Sequence, residues 1–252
     1  MVEVERSIPL TSEIERAIPR TSDAVPPQHT LSREIQPRLR SNGIDRAMNI
    51  LIASVAIVLV SPVMIVFAIL VKLTSHGPIF YTQPRVGIDR RRSRDGSMYD
   101  RRTRDIGGLP FVIYKFRTMF VGAETRHGAV WATRGDPRVT PIGGVMRKLR
   151  VDELPQLFNV IAGDMNIVGP RPERPSIFSR LRVDIADYPL RQRARPGITG
   201  WAQINQSYDT SLDDVRRKVR YDLEYLERQG VGEDLMIMAK TVPVMLFRKG
   251  GW

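Results

Sequence analysis

The stretch "NILIASVAIVLVSPVMIVFAILVKL", residues 49–73, decides the fold. Ile50 to Val71 is 22 residues without a formal charge. As a straight helix it reaches about 33 Å, against a bilayer hydrocarbon core of about 30 Å. It begins too far into the chain for a secretory signal, and no small-residue cleavage site follows. The segment therefore points to a membrane-bound protein. Ser61-Pro62 divides it almost in half. Pro62 has no backbone donor, so the Val58 carbonyl loses its partner, a costly loss in lipid unless the Ser61 hydroxyl serves it. A spanning helix kinked at proline fits these facts, and so does a bent hairpin using one leaflet. Cations lie on both flanks: Arg33, Arg38, Arg40 and Arg46 before, Lys72 and Arg85 after. A spanning helix usually has its excess on one side, so these flanks suit the hairpin, while the length suits a span.

Outward from this segment the chain changes character. Residues 1–42 are rich in Pro, Ser, Thr and mixed charge and read as a flexible tail. "PIFYTQ" (78–83) and "FVIYKF" (111–116) alternate and carry aromatic and β-branched residues, so they read as strands. Between them, residues 89–108 form a basic, polar loop whose arginines suit acidic headgroups. A helical pattern runs from 140 to 166, with Pro155 in a first turn and Leu157, Phe158 and Ile161 on one side. Residues 213–228 read as another helix. The tail from 233 reads as a packed or interfacial helix broken near Pro243, with Trp252 at its end.

Lysine and arginine number 39 against 27 acids, a net charge of +12, which calls for an anionic partner. There are no cysteines, so disulfides, thiolate metal sites and cysteine nucleophiles are excluded. Three scattered histidines make a histidine zinc site unsuitable.

Four stretches carry chemistry. In "RKLRVDELPQLFNV" (147–160) the carboxylates Asp152 and Glu153 follow three cations. Neighbours on a helix point about 100° apart, so one can face a pocket while the other orients it or binds metal. The preceding cations would keep a nucleophilic carboxylate ionised and hold a diphosphate. Acids are also common in first helical turns for dipole reasons alone. In "NIVGPRPERP" (166–175) prolines stiffen a backbone from which Arg171 and Arg174 project, a way to hold phosphate or a base edge. "YKFRTM" (114–119) and "RARPGITGWAQIN" (193–205) add Lys115, Arg117, Arg195 and Trp201. Singly, each also reads as an ordinary turn or charged face.

Taken in order, these stretches resemble the bacterial sugar transferases, the monotopic phosphoglycosyl transferases that load polyprenyl phosphate. The resemblance runs from about Asp45 to residue 245. It rests on the Ser61-Pro62 break, "GPIFYTQPRVG", "YKFRTM", the 136–175 stretch, "RPGITGWAQIN", "YDLEYL" and "DLMIMAKTV". It implies an α+β, mainly helical fold. A re-entrant helix-break-helix hairpin (45–73) and interfacial amphipathic helices would accompany a small sheet around a catalytic core (74–252). It also implies that Asp152 attacks the β-phosphate of a UDP-sugar and expels UMP. Polyprenyl phosphate then takes the sugar phosphate from the aspartyl ester. Glu153 would assist, and Mg²⁺ would bind with Asp152 as a ligand. Arg147, Pro170, Arg171, Pro172 and Glu173 would line the phosphate site, with Lys115, Arg117 and Arg195 as further candidates. The implied setting is the cytoplasmic face of a bacterial inner membrane, in exopolysaccharide synthesis. A homodimer and downstream glycosyltransferases are the implied protein partners. The 89–108 loop is longer than the family's short turn, and the chain looks like the minimal form without a multi-span domain. Two rivals remain: a glycosyltransferase that would release UDP, and a membrane-tethered binder of nucleic acid or acidic lipid, indifferent to loss of Asp152. Nothing here resembles a nucleic-acid recognition helix, so no nucleic acid is expected.

Overall fold

The computed structural model describes residues 42–89, 107–123, 136–206 and 211–247. The tail expected over 1–42 lies almost wholly outside them, as do most of the 89–108 loop and Trp252. The apolar segment forms a 33-residue helix, α1 (Asn42–Thr74), long and apolar enough to cross a membrane. It passes through Pro62 as one element. The Ser61 hydroxyl donates to the Val58 carbonyl at 2.9 Å, serving the acceptor that proline leaves without a partner.

One stripe of α1 docks along the rest of the protein. Ala53, Ala56, Ile57 and Val60 meet Phe111, Ile113, Leu157, Val160 and Met165. Further along, Met64, Phe67, Ala68 and Val71 meet Phe116, Met146 and Val151. Polar clasps close both ends. The Arg46 guanidinium donates to the Val160 and Ile161 carbonyls, and Ile167 N–H donates to Asn49 Oδ1 at 2.7 Å. At the far end Arg117 Nη2 donates to Ser75 O at 2.8 Å and to its hydroxyl at 2.6 Å. The opposite stripe (Leu51, Val55, Val58, Leu59, Ile65, Val66, Ile69, Leu73) is apolar and exposed.

The two expected strands are β1 (Phe80–Val86) and β2 (Pro110–Phe116), an antiparallel pair with Phe80 opposite Phe116 and Val86 opposite Pro110. The expected 140–166 helix is three pieces: α2 (Pro141–Leu149), a 3₁₀ turn (Val151–Glu153) and α3 (Gln156–Ala162). Thr140 caps α2 by accepting from Gly143 N–H at 3.0 Å. Leu157 is buried, whereas Phe158 and Ile161 are exposed, so the face expected to be common is divided. Next come β3 (Asn166–Val168), α4 (Pro175–Asp184), a 3₁₀ segment (Tyr188–Arg193), β4 (Gly197–Thr199) and α5 (Trp201–Asn205). The sequence reading missed the parallel β3–β4 pair, which brings "NIVGPRPERP" against "RPGITGWAQIN". The backbones nearly touch there. A Cβ on Gly169 would stand 2.2 Å from Arg195 O, and one on Gly197 would stand 2.1 Å from Gly169 N.

The expected 213–228 helix is α6 (Leu212–Arg228), opened by a capping box between Ser211 and Asp214. The last helix, α7 (Val231–Phe247), corrects the expected break: it continues through Pro243.

Candidate functional site

The site grows from the turn between α2 and α3. Arg150 ends α2 at φ 58°, the one non-glycine residue with positive φ among those described. Such a conformation costs an L-residue roughly 1–2 kcal/mol, and here it reverses the chain just before the two acids. The 3₁₀ turn then continues through Leu154 and Pro155, both right-handed helical, into α3. Asp152 and Glu153 therefore project from one short helical run, facing different neighbours.

Glu153 is fully engaged. Lys115 Nζ, from β2, donates to its Oε1 at 3.0 Å. Arg171 grips it with both terminal nitrogens, Nη1 reaching Oε2 at 3.2 Å and Nη2 reaching Oε1. Burial alone would push this carboxyl up; Arg171 and Lys115 outweigh it and hold Glu153 well below the usual carboxylate range. Asp152 differs. It makes no hydrogen bond or ion pair with any described residue. Burial, and then the charge of Glu153, push its carboxyl up, opposed by Lys115, Arg147 and Arg171. Burial also draws the Lys115 ammonium down, against the pull of Glu153.

The loop that delivers Arg171 is held carbonyl by carbonyl. Pro170 O accepts from Gly197 N–H at 3.0 Å, and Arg171 O from Arg191 Nη2 at 3.0 Å. Pro172 O accepts from Arg85 Nη1 at 3.0 Å, and Glu173 O from Val86 N–H at 2.9 Å. Beneath it lies Arg191, 0% exposed. Its Nε and Nη2 meet Asp222 at 2.9 and 2.7 Å, and its Nη1 meets the Tyr188 hydroxyl at 3.0 Å. Asp222, Tyr188 and Glu173 together overcome burial and raise the guanidinium's affinity for its proton. Glu173 also accepts from Lys218 at 3.0 Å. Burial would raise its carboxyl, but Lys218, Arg191 and Arg85 hold it at about 2.

Of the residues singled out from sequence, Asp152, Glu153, Lys115, Arg147 and Arg171 share one electrostatic neighbourhood. Arg147 Nε donates to the Thr118 hydroxyl at 2.9 Å. Pro170, Pro172 and Glu173 frame the loop, while Arg195 sits behind it with its carbonyl against Gly169. Arg117 is not drawn into the cluster; it clasps Ser75 at the end of α1. Arg85, Arg191, Asp222 and Lys218 were missed. Asp222 lies inside "YDLEYL", a usable signal, but nothing distinguishes Arg191 among the arginines of residues 191–195. The described residues contain no cluster of three or more acids or histidines fit to hold a metal by itself.

Residues 40–248 match the family model described as bacterial sugar transferase. The chain is 43% identical over 203 residues to UDP-N-acetylgalactosamine-undecaprenyl-phosphate N-acetylgalactosaminephosphotransferase of Aeromonas hydrophila, covering 81% of this chain and 44% of that one. It is 38% identical to UDP-glucose:undecaprenyl-phosphate glucose-1-phosphate transferase of Escherichia coli (strain K12), covering 79% and 39%. A putative undecaprenyl-phosphate N-acetylgalactosaminyl 1-phosphate transferase of Bacillus subtilis (strain 168) is 40% identical, covering 72% and 80%. The chain thus spans less than half the length of the first two relatives.

Proposed function

The chain belongs to the bacterial sugar transferase family, and from that premise we propose that it transfers a sugar 1-phosphate from a UDP-sugar to a polyprenyl phosphate. The observation that carries the reading is the division between two adjacent acids. Glu153 has its oxygens taken by Lys115 and Arg171, while among the described residues Asp152 keeps its lone pairs unspent beside cations. A carboxylate whose proton affinity is raised is also a better nucleophile than an ordinary one.

In the first step an Asp152 carboxylate oxygen bonds to the β-phosphorus. The bond from that phosphorus to the bridging oxygen breaks, and UMP leaves with the electron pair. The product is a phosphosugar-aspartate mixed anhydride. In the second step a phosphate oxygen of the polyprenyl acceptor attacks the same phosphorus. The Asp152 carboxylate departs, and polyprenyl-diphosphate-sugar forms. Arg147, Lys115 and Arg171 act on the charge of Asp152 and would balance that of the transferred phosphoryl group. Mg²⁺ suits this donor set: it commonly binds through one or two carboxylates plus substrate phosphates, so Asp152 with the diphosphate would hold it and neutralise part of the charge.

The same reading gives α1 a monotopic role, a re-entrant segment entering and leaving one leaflet. Support comes from its clasps at both ends, Arg46 with Val160 and Ser75 with Arg117, onto one protein body. A perpendicular span would carry one end about 30 Å away from a domain on the other side. The exposed apolar stripe then meets lipid, and the acceptor phosphate lies at the headgroups, on the cytoplasmic face of the inner membrane. The lipid-linked product would pass to glycosyltransferases that extend it.

The test is a panel of UDP-glucose, UDP-galactose and UDP-N-acetylgalactosamine with the membrane-bound protein and polyprenyl phosphate. UMP release from one of them, lost in Asp152→Asn, is expected. Release of UDP would transfer the protein to the rival class of glycosyltransferases that move only the sugar.

A further inference from the structure

Gln156 stands four positions after Asp152 and three after Glu153 in the right-handed run from Val151 to Ala162. Side chains at these offsets are neighbours, with Cβ atoms about 5–6 Å apart. Gln156 is 1% exposed, and its Nε2 is buried without a hydrogen-bond partner among the described residues. An amide donor taken out of water and left unpaired is unfavourable to folding, so its presence calls for a use. Packing does not supply one. The next buried carboxamide, Asn159, shows what a structural role looks like. Its Nδ2 donates to Val112 O at 2.7 Å and its Oδ1 accepts from Tyr114 N–H at 3.0 Å, sewing α3 to β2. Among the described residues, Gln156 leaves both N–H groups of its amide unspent, within one helical turn of an acid that also has no partner there.

We propose that the Gln156 carboxamide is a further catalytic residue, donating a hydrogen bond to a non-bridging oxygen of the phosphoryl group transferred to Asp152. The proposal rests on the phosphosugar-aspartate reading above. As the Asp152 oxygen bonds to phosphorus and the bond to the UMP oxygen breaks, negative charge spreads over the phosphoryl oxygens. A preorganised donor there stabilises the transition state more than the ground state. A neutral donor has one advantage over a further cation: it takes the oxygen without making the adjacent Asp152 carboxylate less basic. Lys115, Arg147 and Arg171 already lower that basicity.

The experiment uses the full chain in detergent with UDP-glucose or UDP-N-acetylgalactosamine and no acceptor. Rapid quenching and intact-mass spectrometry give the rate at which the protein gains a sugar phosphate. Gln156→Met keeps the volume and removes the amide; Gln156→Glu keeps the shape and removes the donors of the ionised side chain. Both should slow adduct formation at saturating donor about 10- to 100-fold, with KM for the donor changed far less. Gln156→Met should melt at or above the wild-type temperature, because an unpaired buried donor has gone. A wild-type adduct rate in Gln156→Met overturns the proposal. So does a Gln156→Met protein that melts well below wild type or fails to fold, since that outcome assigns the side chain to packing. Asp152→Asn separates the two layers. An adduct that survives in Asp152→Asn sinks the underlying reading, whereas a silent Asp152→Asn beside a fast Gln156→Met sinks only the role of Gln156.

Discussion

Arg191 and Glu153 are both ions held at the 170–173 loop, one beneath it and one in front, and their surroundings differ. Around Arg191, charge is closed: Asp222, Tyr188, the Arg171 carbonyl and Glu173 surround a guanidinium that is 0% exposed. Around Glu153, charge is closed on one side only. Lys115 and Arg171 complete it, but among the described residues the acid next door has no partner and the amide one turn on has an unspent donor. A finished network fixes a loop; an unfinished one is left open for a substrate. The lesson is that buried charge marks a reaction centre where its hydrogen bonding is incomplete, and marks scaffolding where it is complete.

Substitutions can break or sharpen this contrast. The largest effect belongs to the open cluster. Asp152→Asn should lower UMP release about 10³-fold or more while the melting temperature stays near wild type, measured by product assay and thermal unfolding in detergent. The closed cluster should behave in the opposite sense. Arg191→Met leaves Asp222 buried without its partner and should cost about 3–5 kcal/mol of stability, read by denaturant unfolding. Any fall in turnover should follow the loss of folded protein.

Acid should reach the closed cluster next. Glu173 has its carboxyl at about 2 in the folded chain against an ordinary 4.5. Its contribution is present above about 4.5 and is lost as pH falls toward 2, on the order of 3 kcal/mol. In Glu173→Gln the stability curve should flatten across that window. The smallest change is a displacement of the acid limb of UMP release. Asp152 must be ionised to attack, and the charge of Glu153 raises its carboxyl while Lys115 lowers it. Glu153→Gln should therefore move the limb to lower pH and Lys115→Met to higher pH. A pH–rate profile in which both shift the same way contradicts the assignment of Asp152 as the titrating nucleophile.

How much of this was legible beforehand follows from the range of each interaction. The long helix α1 was readable because its signal is local, an uncharged apolar run. So were β1 and β2, from their alternation, and Asp152 with Glu153, from their adjacency and the cations before them. The β3–β4 pair was not, since three-residue strands carry no period and find their partners only far along the chain, where Gly169 and Gly197 let the backbones approach. Arg191 was not, since its partner Asp222 is 31 residues away. Leu157 was read onto one side with Phe158 and Ile161, but it is buried while they are exposed, because a count of apolar positions does not say what each one meets. The continuity of α7 through Pro243 shows the same limit, a local breaker overridden by its context.

The most direct test of the central claim is peptide mapping of the protein after brief exposure to a UDP-sugar it turns over, with acceptor withheld. One sugar phosphate carried on the Asp152 side chain, released when polyprenyl phosphate is added, is the expected result. An active preparation in which Asp152 stays unmodified while UMP accumulates would contradict it.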